Sequence, residues 1–326
     1  MSAWLGVFAA GLLPRERFPQ TTTEPATAWM RAAQRLWAQE APWVVMALVV
    51  ALGLLVFTAF RMRATRANDA APRPYTPFGA IWTLLPLAAV ALVAWPAWRA
   101  ALTPPAAPAP ALRVNIVGHQ WCWEFKYPDH GFATATELHV PVGRAVEFTV
   151  ESADAMHSLW IPAVGPREEV PPLRRRTMRF TPDRTGAFKG QCAELCGASH
   201  AHMHLTLFVD EPAVYEAWLA NQQAPAVAPT DSVGNGPVWR GKRVFETHSC
   251  RGCHTVRGLT EGPIGPDLTH FASRTSIAGG MFPRTDSTLA HWLLKANQLK
   301  PGSTMPSLPI PPKDLTVLIQ WLQSLR

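Results

Sequence analysis

Two long apolar runs lie in the first third of the 326-residue chain. Residues 41–60 are twenty uncharged residues dense in Val, Leu and Ala, and residues 74–98 are twenty-five more. A helix of about twenty apolar residues is about 30 Å long, which matches the hydrocarbon core of a membrane. The pattern predicts a two-helix transmembrane hairpin over residues 41–102, with helices at about 41–62 and 77–101. A pair of buried helices in a large soluble core is the alternative.

The pattern changes to alternating apolar and polar positions over residues 112–215. Val146, Phe148 and Val150, for example, share one face of a predicted strand. Pro and Gly separate the runs, which favours a sandwich of short antiparallel strands. The clearest runs are Arg113–Val117, Trp121–Tyr127, Ala145–Val150 and His204–Val209.

Helical periodicity returns in residues 237–326. One helix is predicted to begin at Pro237, and two more cover Asp286–Leu299 and Pro312–Leu325, each with an apolar face. Proline-rich residues 103–111 and residues 216–236, which have few large apolar side chains, are predicted linkers. The fold class is therefore multidomain: a transmembrane hairpin, an all-β sandwich and an all-α domain. Residues 1–40 have no assigned role.

Charge orients the predicted hairpin. Arg61, Arg63, Arg66 and Arg73 lie between the two apolar runs with a single acidic residue, Asp69. Arginine-rich short loops mark the cytoplasmic side, so the N-terminus and everything after Trp98 should lie outside the cytoplasm. In a bacterium this places the chain in the inner membrane with its folded domains in the periplasm.

The net charge of +7 is divided unevenly along the chain. Residues 1–111 carry +5, residues 112–230 carry −3, and residues 231–326 carry +5. Because the positive charge is not concentrated in one folded region, the basic balance does not indicate a nucleic-acid partner.

Soft metal ligands are concentrated between the last two predicted strands of the sandwich. Thiolate, imidazole and thioether together suit copper better than calcium or magnesium. Two thiolates four residues apart can bridge two coppers, with His157 and Met203 on one metal and His200 on the other. A disulfide between the two cysteines is the alternative. The candidate ligands are His157, Cys192, Cys196, His200 and Met203.

A second redox motif opens the C-terminal domain. Cys250 and Cys253 precede His254 with the Cys-x-x-Cys-His spacing of covalent c-type haem, in which both thiols bond the haem and the histidine binds iron. Met305, in a loop between two predicted helices, is the candidate sixth ligand, and Met281 competes with it. A thioether opposite imidazole raises the haem potential.

Several of these motifs resemble cytochrome c oxidase subunit II over about residues 40–212. They are His157, the segment 192–203, Gly118–Trp123 and Trp82–Pro86. The resemblance implies a cupredoxin domain with a binuclear CuA centre. It further implies that Glu194 binds copper through its carbonyl oxygen and offers its carboxylate to a Mg²⁺ shared with subunit I. Trp121 would be the aromatic residue through which electrons reach copper, and residues 231–326 resemble a class I cytochrome c.

Two positions depart from the family pattern. Cys122 stands where the family usually has tyrosine, and we expect a buried neutral thiol there. Gly79 stands where the family often has a glutamate at the mouth of a proton channel. Glycine cannot relay a proton, so that route lacks its usual proton-relaying group and proton pumping stays an open question at this point.

The sequence therefore predicts the electron-transfer subunit of a caa-type haem–copper oxidase, a non-catalytic part of a proton-translocating oxidoreductase. A periplasmic cytochrome c or similar donor would reduce the haem, and electrons would pass through CuA to subunit I, which reduces oxygen to water; subunit III would be a further partner. One alternative is the electron-accepting subunit of a CuA-type nitric oxide reductase. Another, from a different class, is a membrane-tethered copper-delivery protein.

Overall fold

The computed structural model describes residues 20–65, 77–102, 112–226 and 236–326. The chain divides into two compact units, residues 29–106 and residues 1–28 together with 107–326. The predicted linker over residues 103–111 lies outside the described residues.

The smaller unit contains two helices, α1 (Ala28–Thr65) and α2 (Pro77–Leu102). The prediction that the first helix begins near residue 41 was wrong, because the helix starts thirteen residues earlier. Residues 28–40 carry Arg31, Arg35 and Glu40, so hydropathy detects only the apolar part of a longer helix. Among the described residues, only Ala28–Arg61 is long and apolar enough to qualify as a membrane span. The two-span hairpin therefore remains a prediction.

Apolar side chains on both helices are exposed. Leu52 and Leu55 of α1 are 63% and 66% exposed, and Leu92 of α2 is 76% exposed. Exposed apolar surface of this extent on a helix is expected where lipid is the solvent.

Ten strands form a sandwich of two five-stranded sheets. The first has the order β3-β2-β1-β5-β8 and the second β4-β10-β9-β6-β7. The strands are β1 (Leu112–His119), β2 (Cys122–Tyr127), β3 (Phe132–Ala135), β4 (Glu137–Pro141), β5 (Val146–Ser152), β6 (His157–Trp160), β7 (Glu168–Val170), β8 (Arg175–Phe180), β9 (Gly186–Cys192) and β10 (His204–Asp210). The prediction of purely antiparallel strands was wrong, because β1 pairs with β5, and β4 with β10, in parallel.

Alternation along the strands builds the core between the sheets. Val146, Phe148 and Val150 are buried, as predicted. Helix α3 (Pro212–Gln223) follows β10 and adds Tyr215 and Leu219 to the same core. The linker predicted to begin at residue 216 therefore cannot begin before the end of α3.

The residues just before α1 pack on the sandwich. The amide of Ala26 donates to the carbonyl of Ala163 (2.8 Å), and the hydroxyl of Thr27 donates to the carbonyl of Val164 (2.7 Å). Thr27 also forms an isolated β-bridge with Pro182. Part of the N-terminal segment that had no assigned role thus belongs to the β domain.

The C-terminal domain is mainly helical, with α4 (Pro237–Thr247), α5 (Asp286–Leu299) and α6 (Pro312–Leu322). The last helix is three residues shorter than predicted. Two short ladders, β11 (His254–Val256) with β12 (Thr260–Pro263) and β13 (Ser276–Ile277) with β14 (Phe282–Pro283), qualify the all-α prediction. Gly241 lets α4 lie against α6, since a Cβ there would be 2.0 Å from the carbonyl oxygen of Val317.

Candidate metal centre and haem-attachment site

The predicted copper ligands converge at one end of the sandwich. The Cys192 and Cys196 sulfurs are 3.8 Å apart, and both thiols are free. His157 Nδ1 lies 3.8 Å from Cys192 Sγ, and His200 Nδ1 lies 3.5 Å from Cys196 Sγ. Met203 Sδ lies 3.9 Å from Cys196 Sγ, so all five predicted side-chain ligands meet.

The two thiols cannot both ionise easily as they stand. Burial opposes ionisation of Cys192, but hydrogen bonds from His157 and from the backbone lower its pKa to about 7. Burial and the neighbouring Cys192 raise the pKa of Cys196 to about 12. A soft cation between the sulfurs would allow both to be thiolates. Together with the imidazole and thioether donors, this charge pattern fits copper.

Asp154 and Gln120 hold the ligands in place. The Asp154 carboxylate lies 2.8 Å from His157 Nε2, which leaves Nδ1 directed at Cys192. Its other oxygen accepts the amide of Gln120 (2.7 Å), and the Gln120 side chain donates to the carbonyl of Cys196 (2.6 Å). Partners of this kind fix the tautomer and orientation of a ligating histidine. Sequence analysis assigned neither residue a role: Gln120 lies inside the Gly118–Trp123 motif, and Asp154 lies three residues before His157.

Gly118 makes room for His157. A Cβ at this position would lie 2.9 Å from His157 Cδ2 and 3.1 Å from the Trp123 ring. His157 is the first residue of β6 and is fully buried. The rigid strand end therefore fixes the position of the imidazole.

Glu194 and Cys122 occupy different surroundings near this cluster. The carbonyl oxygen of Glu194 lies 3.2 Å from Cys192 Sγ, which places it beside the predicted copper ligands. Cys122 is half-buried, not fully buried as predicted, and burial raises the pKa of its thiol to about 11, which favours the neutral form at pH 7.

Trp121 lies between the copper loop and the C-terminal domain. It is 7% exposed. A Cβ on Gly197 would approach the indole within 3.0 Å, and a Cβ on Gly302 would approach it within 2.4 Å. Gly197 follows Cys196, and Gly302 lies three residues before Met305. The indole therefore contacts the backbone of both candidate redox loops.

The Cys-x-x-Cys-His segment forms a tight turn followed by a strand. Cys250–Gly252 is a 3₁₀ turn, and the amide of Cys253 donates to the carbonyl of Cys250 (3.1 Å). His254 Nδ1 lies 2.9 Å from the carbonyl oxygen of Pro266 and donates to it, leaving Nε2 as the free ligand atom. Burial lowers the pKa of His254, which favours the neutral imidazole that an iron ligand requires.

Met305 belongs to the loop between α5 and α6, as predicted. It is half-buried against the helical core, together with Cys250 and Leu308. Met281 is also half-buried but is not among the side chains packed on that core. The thiols, the neutral imidazole and this half-buried apolar rim fit a covalently attached haem.

A cupredoxin-like β domain joined to a cytochrome c domain defines a two-centre electron-transfer class of protein. The family model "Cytochrome C oxidase subunit II, periplasmic domain" matches residues 131–209, and "Cytochrome c" matches residues 238–326. Cytochrome c oxidase subunit 2 of Alkalihalophilus pseudofirmus is 30% identical over 339 residues, covering 99% of this chain and 95% of that protein. The chain belongs to the cytochrome c oxidase subunit 2 family.

Other comparisons cover smaller parts of the chain. Cytochrome c oxidase subunit 2 of Bacillus sp. strain PS3 is 33% identical over 228 residues, covering 65% of this chain and 62% of that protein. The crystal structure of the periplasmic domain of subunit II from Bradyrhizobium japonicum is 30% identical, with a TM-score of 0.35, and covers 36% of this chain and 97% of that chain. Family membership implies copper in the β domain and haem c in the cytochrome domain.

Proposed function

We propose that this chain is the electron-transfer subunit II of a caa-type haem–copper oxidase. It takes electrons from a periplasmic donor at the cytochrome domain and delivers them through the β domain to the catalytic subunit, which reduces oxygen to water. The observation that carries the proposal is the position of Trp121, in contact range of both the copper loop and the Lys300–Met305 loop.

Each centre has a defined set of protein ligands. His157, Cys192, Cys196, His200, Met203 and the Glu194 carbonyl hold a binuclear CuA, and Cys250, Cys253, His254 and Met305 hold haem c. Bound in this way, the two groups supply reversible one-electron carriers. The protein ligands fill both sets with no position assigned to substrate, so the chain itself catalyses no bond chemistry.

The membrane arrangement follows from the chain path. Thr27 and Leu112 both belong to the β domain, so the segment between them begins and ends on the same side of a membrane. Such a segment crosses the membrane either not at all or an even number of times. Two crossings, by α1 and α2, fit the exposed apolar surface of both helices and the arginine-rich residues between them.

Contacts with other subunits are further parts of the proposal. The Glu194 carboxylate is half-buried beside the copper loop and would bind a Mg²⁺ shared with subunit I, with subunit III as an additional neighbour. Gly79 lies in α2 where a proton-relaying glutamate is frequent. A nitric oxide reductase, which need not pump protons, is the second candidate function that this glycine favours.

Replacing one thiolate tests the proposal. Cys196→Ser in the detergent-solubilised complex should remove a soft ligand and slow electron transfer from haem c to the catalytic subunit by more than about 100-fold. Flash photolysis or stopped-flow spectroscopy measures this rate. Cys122→Ser is the matched control, because Cys122 is near the cluster but is not a proposed ligand. An unchanged rate in Cys196→Ser would refute the proposal.

Two further measurements separate the alternatives. A mixed-valence two-copper electron paramagnetic resonance spectrum is expected for CuA, whereas a single-copper spectrum would support copper delivery instead. Oxygen consumption and nitric oxide consumption by the purified complex, compared side by side, distinguish the oxidase from the reductase.

A further inference from the structure

The cytochrome domain covers the β domain around Trp121. Ser199, next to the copper ligand His200, donates its hydroxyl to the carbonyl of Pro301 (2.8 Å). The amide of His204 donates to the carbonyl of Gly279 (2.9 Å). Both bonds join backbone or side-chain groups of the copper end of the sandwich to loops of the cytochrome domain, so the two domains meet directly at the candidate site.

Lys300 lies at the centre of this junction between the two domains. Lys300 is 3% exposed, and its Nζ donates to three backbone carbonyls. Two of them belong to the β domain, Trp121 (2.6 Å) and His202 (3.0 Å), and the third is that of Ala278 (2.7 Å). Three carbonyl oxygens match the three donors of an ammonium group. One buried cation thus connects the backbone of Trp121 with two other loops.

Glu137 forms a second, independent connection. It is 4% exposed and lies on β4 of the sandwich. Its carboxylate accepts hydrogen bonds from the amide and hydroxyl of Thr275 (3.0 and 2.7 Å) and from the amide and hydroxyl of Ser276 (2.8 and 2.7 Å). Hydrogen bonds to a charged acceptor are stronger than neutral ones. This buried carboxylate holds the start of β13 in the cytochrome domain.

Glycines allow the backbones to approach. A Cβ on Gly279 would lie 2.7 Å from the carbonyl oxygen of Trp121, and one on Gly280 would lie 2.9 Å from His204 Cβ. The corresponding atom on Gly302 would lie 2.4 Å from the Trp121 ring. All three have positive φ angles, which glycine adopts at little cost. These close approaches cover the indole of Trp121, which is 7% exposed.

We infer that Lys300 and Glu137 are positioning residues that fix the cytochrome domain over Trp121, so that the copper centre accepts electrons from its own cytochrome domain and not from a separate protein donor. The inference rests on the proposed function for the identity of the two centres. Burying an ammonium or a carboxylate is costly unless its hydrogen bonds are satisfied. Two of the three partners of Lys300 and all of the donors to Glu137 lie across the domain junction.

Cys122 offers a direct probe of the junction. In the fully loaded chain the other four cysteines bind copper or haem, leaving Cys122 as the one free thiol. The charges of Lys300 and Arg274, both in the cytochrome domain, act on it. Cys122 is half-buried, so separation of the domains would remove this cover and increase the exposure of the thiol to water.

The test compares Lys300→Met and Glu137→Leu with the control Lys313→Met, which replaces an exposed lysine on α6. In the loaded full-length protein, alkylation of Cys122 by iodoacetamide should become at least tenfold faster in the first two variants and stay unchanged in the control. Haem absorption and the copper spectrum verify that both centres are intact. Unchanged alkylation in both variants would overturn the inferred docking.

Stopped-flow reduction by a soluble reduced c-type cytochrome tests the exclusion of other donors. In the wild type, copper reduction should follow haem reduction at a rate independent of donor concentration. In the two variants it should slow at least tenfold and become dependent on donor concentration. Wild-type copper reduced before its haem would overturn the exclusion. Failure of the proposed function is distinguishable, because it would show as missing copper or haem spectra in the wild type.

Discussion

The copper and haem centres differ in how far the polypeptide assembles them alone. The copper donors lie on β6, on β9 and in the eleven-residue loop between β9 and β10, with neighbouring ligand atoms 3.5–3.9 Å apart. The haem ligands come from a turn that follows α4 and from the loop between α5 and α6. Both segments place half-buried side chains against the core of the cytochrome domain. The copper ligands are therefore organised by two paired strands and the loop that follows β9, whereas the haem ligands lie on two segments far apart in sequence.

This difference implies different dependence on the bound group. Two five-stranded sheets bury the core of the copper domain between them. The cytochrome domain is smaller, and small domains depend heavily on a cofactor or a cross-link for stability. Five experiments test the contrast.

The largest effect should follow loss of haem attachment. The double variant Cys250→Ala/Cys253→Ala removes both covalent bonds, so the cytochrome domain should lose haem and much of its packed structure. Hydrogen exchange in residues 237–326 should rise strongly while residues 112–210 remain protected. Haem staining on a denaturing gel verifies the loss, and Cys122→Ala is the control. A well-protected cytochrome domain in the double variant would remove the proposed contrast.

A packing change in the same domain should have the next largest effect. Gly241→Ala places a methyl group where the Val317 carbonyl is only 2.0 Å away. Separating α4 from α6 should reduce the free energy of unfolding by about 1–3 kcal/mol. Urea unfolding of the full chain, followed by haem absorption, measures it. Arg240→Ala on the exposed side of the same helix should be close to neutral, and equal effects for both variants would contradict the packing argument.

The sixth haem ligand is tested by a pair of substitutions. Met305→Leu should lower the haem reduction potential and abolish the sulfur–iron absorption band, because leucine has no thioether. Met281→Leu should leave both unchanged. Redox titration with optical detection measures the potentials, and the opposite result would assign the ligand to Met281.

Copper removal should have a smaller structural effect. A chelator should abolish the copper spectrum while the far-ultraviolet circular dichroism of the sandwich stays the same, since its ligands are held by paired strands and by Asp154. The thermal midpoint should fall only by the binding contribution of the metal. Cooperative unfolding of residues 112–210 on chelation would show that this domain depends on its metal as strongly as the other depends on haem.

The smallest effect concerns pH. Burial lowers the pKa of Lys300 to about 8, whereas an unfolded lysine titrates near pH ~10.4. Between these values the unfolded chain binds more protons, so the free energy of unfolding should rise with pH, by at most about 1.4 kcal/mol per unit. Below about pH 8 both states are protonated and this contribution is constant. Urea titrations of the full chain at several pH values measure the slope.

Lys300→Met should remove that slope, and Lys313→Met should retain it. A slope that is the same in wild type and Lys300→Met would mean that another group is responsible.

Sequence patterns predicted local features well. Alternation identified the buried face of β5, helical periodicity located α5 at its observed bounds, and ligand spacing placed Cys192, Cys196 and His200 in one cluster. These features depend on residues close in sequence, for which spacing translates directly into geometry.

Sequence patterns of this kind did not predict features that depend on residues far apart in the chain. The parallel pairings of β1 with β5 and β4 with β10 depend on topology, which alternation does not encode. The start of α1 carries charged residues and has no long apolar run. Nothing in the sequence around Lys300 distinguishes a buried lysine that bonds three carbonyls from an ordinary surface lysine. Glu137 likewise becomes informative only once Thr275 is seen beside it.

The contacts of residues 26 and 27 with the sandwich constrain how the protein is made. Their partners Ala163, Val164 and Pro182 are synthesised more than a hundred residues later. In the proposed two-span arrangement, residues 26 and 27 would remain unpaired on the outer side of the membrane until most of the sandwich has been translocated. Pairing of this short segment with the sandwich would then be one of the last steps of insertion and folding.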